Sequence, residues 1–201
     1  MSTIILRGGV EVEDSLELAF ESLAAYSSYE ARDSSGPDSF DESDLRQANR
    51  GGARISAAEI AAILERRDEI ERALREIRPA ASLADTASAI PWLPLTRIFD
   101  AFSDIRGVGF SKMTKALHPK RPALIPMLDS VVQAYLTRND SATRSSGSFG
   151  EHATALVRIY KRDVDRNRSA LREMQRELAS RDYRLTEVRI LDVLIWSVGA
   201  A

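Results

Sequence analysis

Apolar residues recur along this chain at spacings of three and four far more often than in alternation, so the elements they predict are helices. Leu16, Ala19, Phe20 and Leu23 form one stripe and predict a helix from Ser15 to Tyr26. Residues 27–54 are rich in Ser, Asp and Gly and read as a loop, with room for one short helix near DESDLRQAN. Ser56 and Glu59 have the spacing of a capping box, and Ile60, Ile63, Leu64, Ile70, Leu74 and Ile77 continue behind it as a core stripe. One helix is expected there, running to about Ile77. Pro91 suits a first helical turn, ahead of a face made by Trp92, Leu95, Ile98, Phe99 and Phe102. Further helices are expected from Asp129 to about Thr137, over 151–164 and 167–180, and from Thr186 to about Val198. The last, TEVRILDVLIWSV, is apolar almost all round and must be buried. Residues 138–150 read as a moving polar loop. Only residues 3–6 suggest a strand, so the expected class is all-α with one short N-terminal strand.

Composition narrows this further. With 201 residues, 44% of them hydrophobic, the chain can bury one sizeable core, and a single domain over 1–201 is expected. No apolar run approaches the roughly 18 residues of a membrane span. The opening MSTIILRGGVEVED lacks the basic region and apolar core of a secretory signal. The expectation is therefore a cytoplasmic protein with no membrane partner. The absence of cysteine excludes disulfides, thiolate metal sites and a Cys nucleophile. His118 and His152 stand far apart, suggest no metal site, and read as surface or capping residues.

Charge changes the picture more. The net charge is only −2, yet residues 1–45 hold eleven acidic residues against Arg7 and Arg32. This acidic end is a candidate surface for a protein partner, or a cover for the basic remainder. The opposite bias sits in RGVGFSKMTKALHPKRPALIPMLD, residues 106–129, where Arg106, Lys112, Lys115, Lys120 and Arg121 precede the first acid, Asp129. Such a run fits a polyanion better than a single phosphate. Gly107 and Gly109 permit a tight turn before a helix that begins near Phe110, and the free N–H groups of that helix, with Lys112 and Lys115, would hold a phosphate. Asp129 has two compatible roles, capping the next helix or serving as a reactive carboxylate. Asp192, inside the apolar last helix, reads as the buried partner of an Arg, and Trp92 and Trp196 read as core.

The sequence IRGVG followed by a Lys/Thr-bearing helix resembles the helix-hairpin-helix of DNA-binding proteins. In the helix-hairpin-helix DNA glycosylase superfamily, which includes endonuclease III-like and adenine-mismatch enzymes, an apolar-Pro-apolar segment then leads to an essential Asp about twenty residues after the second glycine. Here LIPMLDSVVQAYL places Asp129 twenty residues after Gly109, and RILDVLIWSVG is similar to the superfamily's last core helix. A KRPxLxPxxD pattern is shared with uncharacterised bacterial proteins. The resemblance covers about residues 88–200, with 1–87 as an acidic helical completion. It implies a helix-hairpin-helix glycosylase-like bundle that binds duplex DNA and sits at the nucleoid. Gly107, Val108, Gly109, Ser111, Lys112, Lys115, Lys120 and Arg121 would contact DNA, with a monovalent cation held by hairpin carbonyls as the only cofactor. Asp129 would act on a flipped nucleotide, excising a damaged or modified base. Ser111 stands where bifunctional members carry a nucleophilic Lys, which implies a monofunctional enzyme. No second carboxylate is assignable in the N-terminal part. The alternative is a catalytically silent DNA-binding module of the same fold.

Overall fold

The apolar stripes close into helices in a computed structural model that describes residues 3–25, 35–138 and 147–199. Ten α-helices occur among these residues: α1 (Ser15–Ala25), α2 (Glu42–Arg50), α3 (Ala57–Leu64), α4 (Arg67–Arg75), α5 (Trp92–Asp100), α6 (Phe110–Leu117), α7 (Ser130–Thr137), α8 (Phe149–Arg166), α9 (Arg168–Ser180) and α10 (Glu187–Gly199). A 3-10 turn at His118–Lys120 follows α6. The mostly helical class agrees with the sequence pattern. None of the described helices is long and apolar enough to cross a membrane.

Two expectations need correction. The N-terminal strand β1 (Ile4–Leu6) has an antiparallel partner, β2 (Val10–Val12), with Ile4 opposite Val12 and Leu6 opposite Val10. Three residues, VEV, were too short a run to signal β2. The helix expected from Ser56 to Ile77 is two helices, broken at Glu65 and Arg66, where Arg66 N donates to Ile63 O at 3.0 Å. Neither Gly nor Pro marks the break. The expected moving loop falls mostly on 139–146, outside the described residues.

One apolar cluster runs from Ile4 in β1 to Ile195 in α10. Helix α10 is the centre: it touches α1, α7, α8 and α9, and Val188, Ile190, Leu191, Val193, Leu194 and Ile195 are all buried. Helices α5 and α8 lie closely together because Gly150 lets them. A Cβ there would overlap Thr96 O, and Gly150 N donates to Asp100 Oδ1 at 2.6 Å. The β-hairpin is pinned to α7 and α8: Ile5 N donates to Asn167 Oδ1 (2.7 Å), and Arg7 N to the Tyr135 hydroxyl (2.7 Å), which donates to Asp163 Oδ2 (2.9 Å).

Candidate functional site

The glycine turn forms as its sequence requires. Gly107 adopts φ +85°, a conformation costly for any side chain, and Gly109 is the extended N-cap of α6. Val108 turns inward and is buried, while Arg106 is exposed and Ser111 half-buried in the first turn of α6. An anion already lies against this turn, and it belongs to the chain. Glu59, from the first turn of α3, accepts from Lys112 Nζ at 2.7 and 2.8 Å and from Ser56 N at 2.8 Å. Its carboxylate presses so close to Gly107 that a Cβ there would collide with it. The Lys112 ammonium, more than any other neighbour, holds the Glu59 pKa below its usual value.

The KRP segment departs from its expected role. Lys120 and Arg121, expected to contact DNA, are both buried. Lys120 Nζ lies 2.6 Å from Asp44 Oδ1 and donates to Ser35 O, Ser35 Oγ and Gly36 O. Arg121 spends its fork on Ile77 O (2.9 Å), Pro37 O (2.7 Å), Leu74 O (2.6 Å), Lys120 O (2.8 Å) and Asp38 Oδ1 (2.7 Å). Neither cation can reach a phosphate outside, because a buried charge needs this degree of pairing to be tolerated at all. The same pairs use two acids of the N-terminal region internally. His118, expected at the surface, is buried as well. Its Nδ1 is 2.7 Å from Ile125 O, and burial pushes its pKa down to about 3, so it is the neutral ring that donates.

Lys115 and Asp129 face elsewhere, into a cleft of about 210 Å³. Lys115 lies six residues along α6 from Gly109, ~9 Å at the helical rise, so the hairpin borders the cleft only through this helix. Asp129 caps α7: Oδ1 accepts from Val131 N and Val132 N, both at 3.0 Å. The expected cap is therefore present, and the same carboxyl lines the cleft. Helix α10 supplies the opposite wall through Arg189, Asp192, Val193 and Trp196, whose i, i+3, i+4, i+7 spacing is one helical face. Met127, Val132 of α7, Ser22 of α1 and the Gly51–Gly52 turn after α2 complete the lining.

Charges converge on this cleft. Burial lowers the pKa of Lys115, Asp129 opposes that shift, and Arg189 and exposed Arg54 add to it; Lys115 and Arg189 line the cleft together with two carboxyls, Asp129 and Asp192. Asp192, expected to be the buried partner of an Arg, feels Arg189 one turn away, but burial outweighs it and raises the Asp192 pKa to about 7. Trp196, expected in the core, is half-buried on the cleft wall, whereas Trp92 packs on the core under the Arg158 guanidinium, 4.1 Å from its ring centre. The missed signal was the polar stripe Arg189, Asp192, Trp196 within an otherwise apolar helix. No group of three or more His, Asp or Glu able to hold a metal occurs among the described residues.

Comparison with curated proteins and with solved structures finds no match. A protein-family model matches residues 16–199, from the second residue of α1 to the last of α10, a span that includes every residue lining the cleft. The chain therefore belongs to that family, described as a family of unknown function (DUF6308).

Proposed function

We propose that this protein removes a base from DNA by hydrolysing the N-glycosidic bond, with Asp129 as the carboxylate that faces the sugar. The observation that carries this reading is the double use of Asp129: one oxygen is tied to two backbone N–H groups, and the carboxyl borders an open cleft. A carboxylate fixed in this way needs no reorganisation as positive charge develops at the sugar, which is the general source of such stabilisation. The volume of about 210 Å³ lies below the ~300–1,000 Å³ of drug-sized pockets. That favours one extruded group over a longer ligand. Lys115, Arg189 and Arg54 favour phosphates flanking that group, and Trp196 offers a flat face beside it.

The resemblance to helix-hairpin-helix glycosylases supports the same role for Asp129, but the DNA contacts are redistributed. Duplex binding rests on Arg106, Lys115 and Arg189, not on Lys120 and Arg121, and the hairpin backbone contributes only where Glu59 is displaced from Gly107. The silent-module alternative is less favoured: it needs a filled pocket and an open hairpin, and here the pocket is open while Glu59 covers the hairpin.

A single-turnover screen tests this, using duplexes with mismatched, alkylated, deaminated and oxidised bases and scoring abasic sites. Wild-type protein is expected to generate them on at least one duplex. Asp129→Asn keeps an acceptor for the α7 cap and should melt within about 2 °C of wild type, while losing roughly 100-fold or more in release. Equal release by the variant removes Asp129 from the chemistry, and no release from any duplex defeats the reading.

A further inference from the structure

The β-hairpin has one closed edge and one open edge. Ile5 N donates to Asn167 Oδ1 at 2.7 Å and Ile5 O accepts from Asn167 Nδ2 at 2.9 Å, so both backbone groups of Ile5 point away from β2. Ile5 is paired with Glu11. In an antiparallel ladder the two members of such a pair both turn outward, so the Glu11 N–H and C=O face away from β1, along the far edge of β2. Neither bonds to another segment among the described residues. Asn167 closes the edge of β1, and no described residue does the same for β2.

Apolar side chains are exposed on both faces of this open edge. Ile5, 37% exposed, stands beside Glu11 on the outer face. Val10, 45% exposed, belongs to the inner face with buried Ile4, Leu6 and Val12. Val10 also borders a groove of about 260 Å³ whose wall includes Val131 of α7 and Ile195 and Val198 of α10. Ile5, Val10 and Val198 are three of the four large apolar side chains exposed among the described residues, so exposed apolar surface is concentrated here. The charges divide between the faces. Exposed Glu11 is on the outer face and exposed Glu13 follows the strand, whereas Arg7 and Arg138 line the groove.

We propose that β2 is a docking edge for an extended segment of a partner protein in which basic and apolar residues alternate. The added strand exchanges main-chain hydrogen bonds with Glu11. Its basic residues lie beside Glu11 and Glu13, with their aliphatic stems over Ile5, and its apolar residues lie toward Val10 and the groove. Arg7 and Arg138 repel a basic side chain at the groove, which fixes the face that each set takes. A second copy of this chain is a poorer occupant, because β2 paired with β2 about Glu11 opposes two carboxylates, and like charges across a ladder are destabilising. The proposal does not depend on the N-glycosidic reading.

The test titrates the isotope-labelled full chain with a short synthetic peptide of alternating Val and Lys, followed by NMR. Wild type should bind it, with the Glu11 amide shifting and its hydrogen exchange slowing. Glu11→Pro removes the outward N–H without breaking a bond between β1 and β2, and Glu11→Lys reverses the charge at an exposed position. Each should weaken binding about fivefold or more. No binding, equal binding by either variant, or equal binding of a peptide with the same residues arranged in two blocks overturns the proposal. Self-association of wild type in sedimentation that Glu11→Pro abolishes gives the edge to a second copy and overturns it as well. If Glu11→Pro does not fold, Glu11→Lys and the block peptide decide.

Discussion

Lys115 and Lys120 are five residues apart in one basic stretch, yet they belong to different kinds of structure. Lys120 and its neighbour Arg121 are sealed inside, with Asp44, Asp38 and a ring of carbonyls around them. Lys115 and Asp129 border an open cleft. The difference comes from residues 35–44, which bring Asp38, Asp44 and several carbonyls to the KRP turn. A positive run in a sequence is therefore not a positive surface. Three of the five cations between Arg106 and Leu128 are neutralised by acids from the first 59 residues; of the other two, Lys115 borders the cleft and Arg106 is exposed beside the glycine turn.

The largest expected effect breaks the buried side. Arg121→Ala leaves Ile77 O, Leu74 O and Pro37 O without their donor and should cost about 3–5 kcal/mol, on the order of 10 °C in melting temperature. A shift under 1 °C would mean the fork stabilises nothing. Next, Lys120→Met strands the buried Asp44 and should cost about 2–4 kcal/mol, part of which Asp44→Asn restores in the double variant. Additive losses would show that the pair is not coupled.

The third effect concerns two buried groups that titrate in opposite senses. Folded His118 resists protonation down to about pH 3 against ~6.5 unfolded, so its contribution is lost as pH falls below 6.5. Asp192 holds its proton up to about pH 7 against ~3.9 unfolded, so its contribution is full at low pH and lost as pH rises through 7. Between about pH 4 and 6.5 the two slopes cancel. Asp192→Asn should uncover the His118 slope, with stability falling by up to ~1.4 kcal/mol per unit on acidification. Parallel wild-type and variant curves in denaturant titrations would contradict it. The smallest change in stability comes from Glu59→Ala, ~1 kcal/mol through the lost capping box. By freeing Lys112 and the hairpin, however, it should raise duplex affinity severalfold and steepen its salt dependence. Unchanged affinity would show that the hairpin holds no phosphate.

Features encoded over short distances were legible in the sequence. The Ser56–Glu59 capping box, the Pro91 start of α5, the glycine turn at 107–109 and the Asp129 cap each need only a few neighbouring residues, and all are present. The ion pairs that remove Lys120 and Arg121 from the surface were not, because their partners lie 76 and 83 residues upstream in an irregular segment with no pattern of its own. The break at Glu65–Arg66 carries no Gly or Pro to announce it. For the cleft, Asp129 could be singled out by spacing alone. Asp192 was visible as an oddity in α10, but its environment depends on Met127 and Tyr160, which only the assembled fold brings to it.

The bonds between Ile5 and Asn167 join residues 162 apart. At ~5–20 residues per second of synthesis, the outer edge of β1, the edge not paired with β2, waits roughly 8–30 s before Asn167 exists. Asp44 likewise emerges long before Lys120, so the nascent chain carries solvated acids and an unpaired strand edge through most of its production. Any factor that shields such edges on the ribosome will influence how much of this protein reaches its native state.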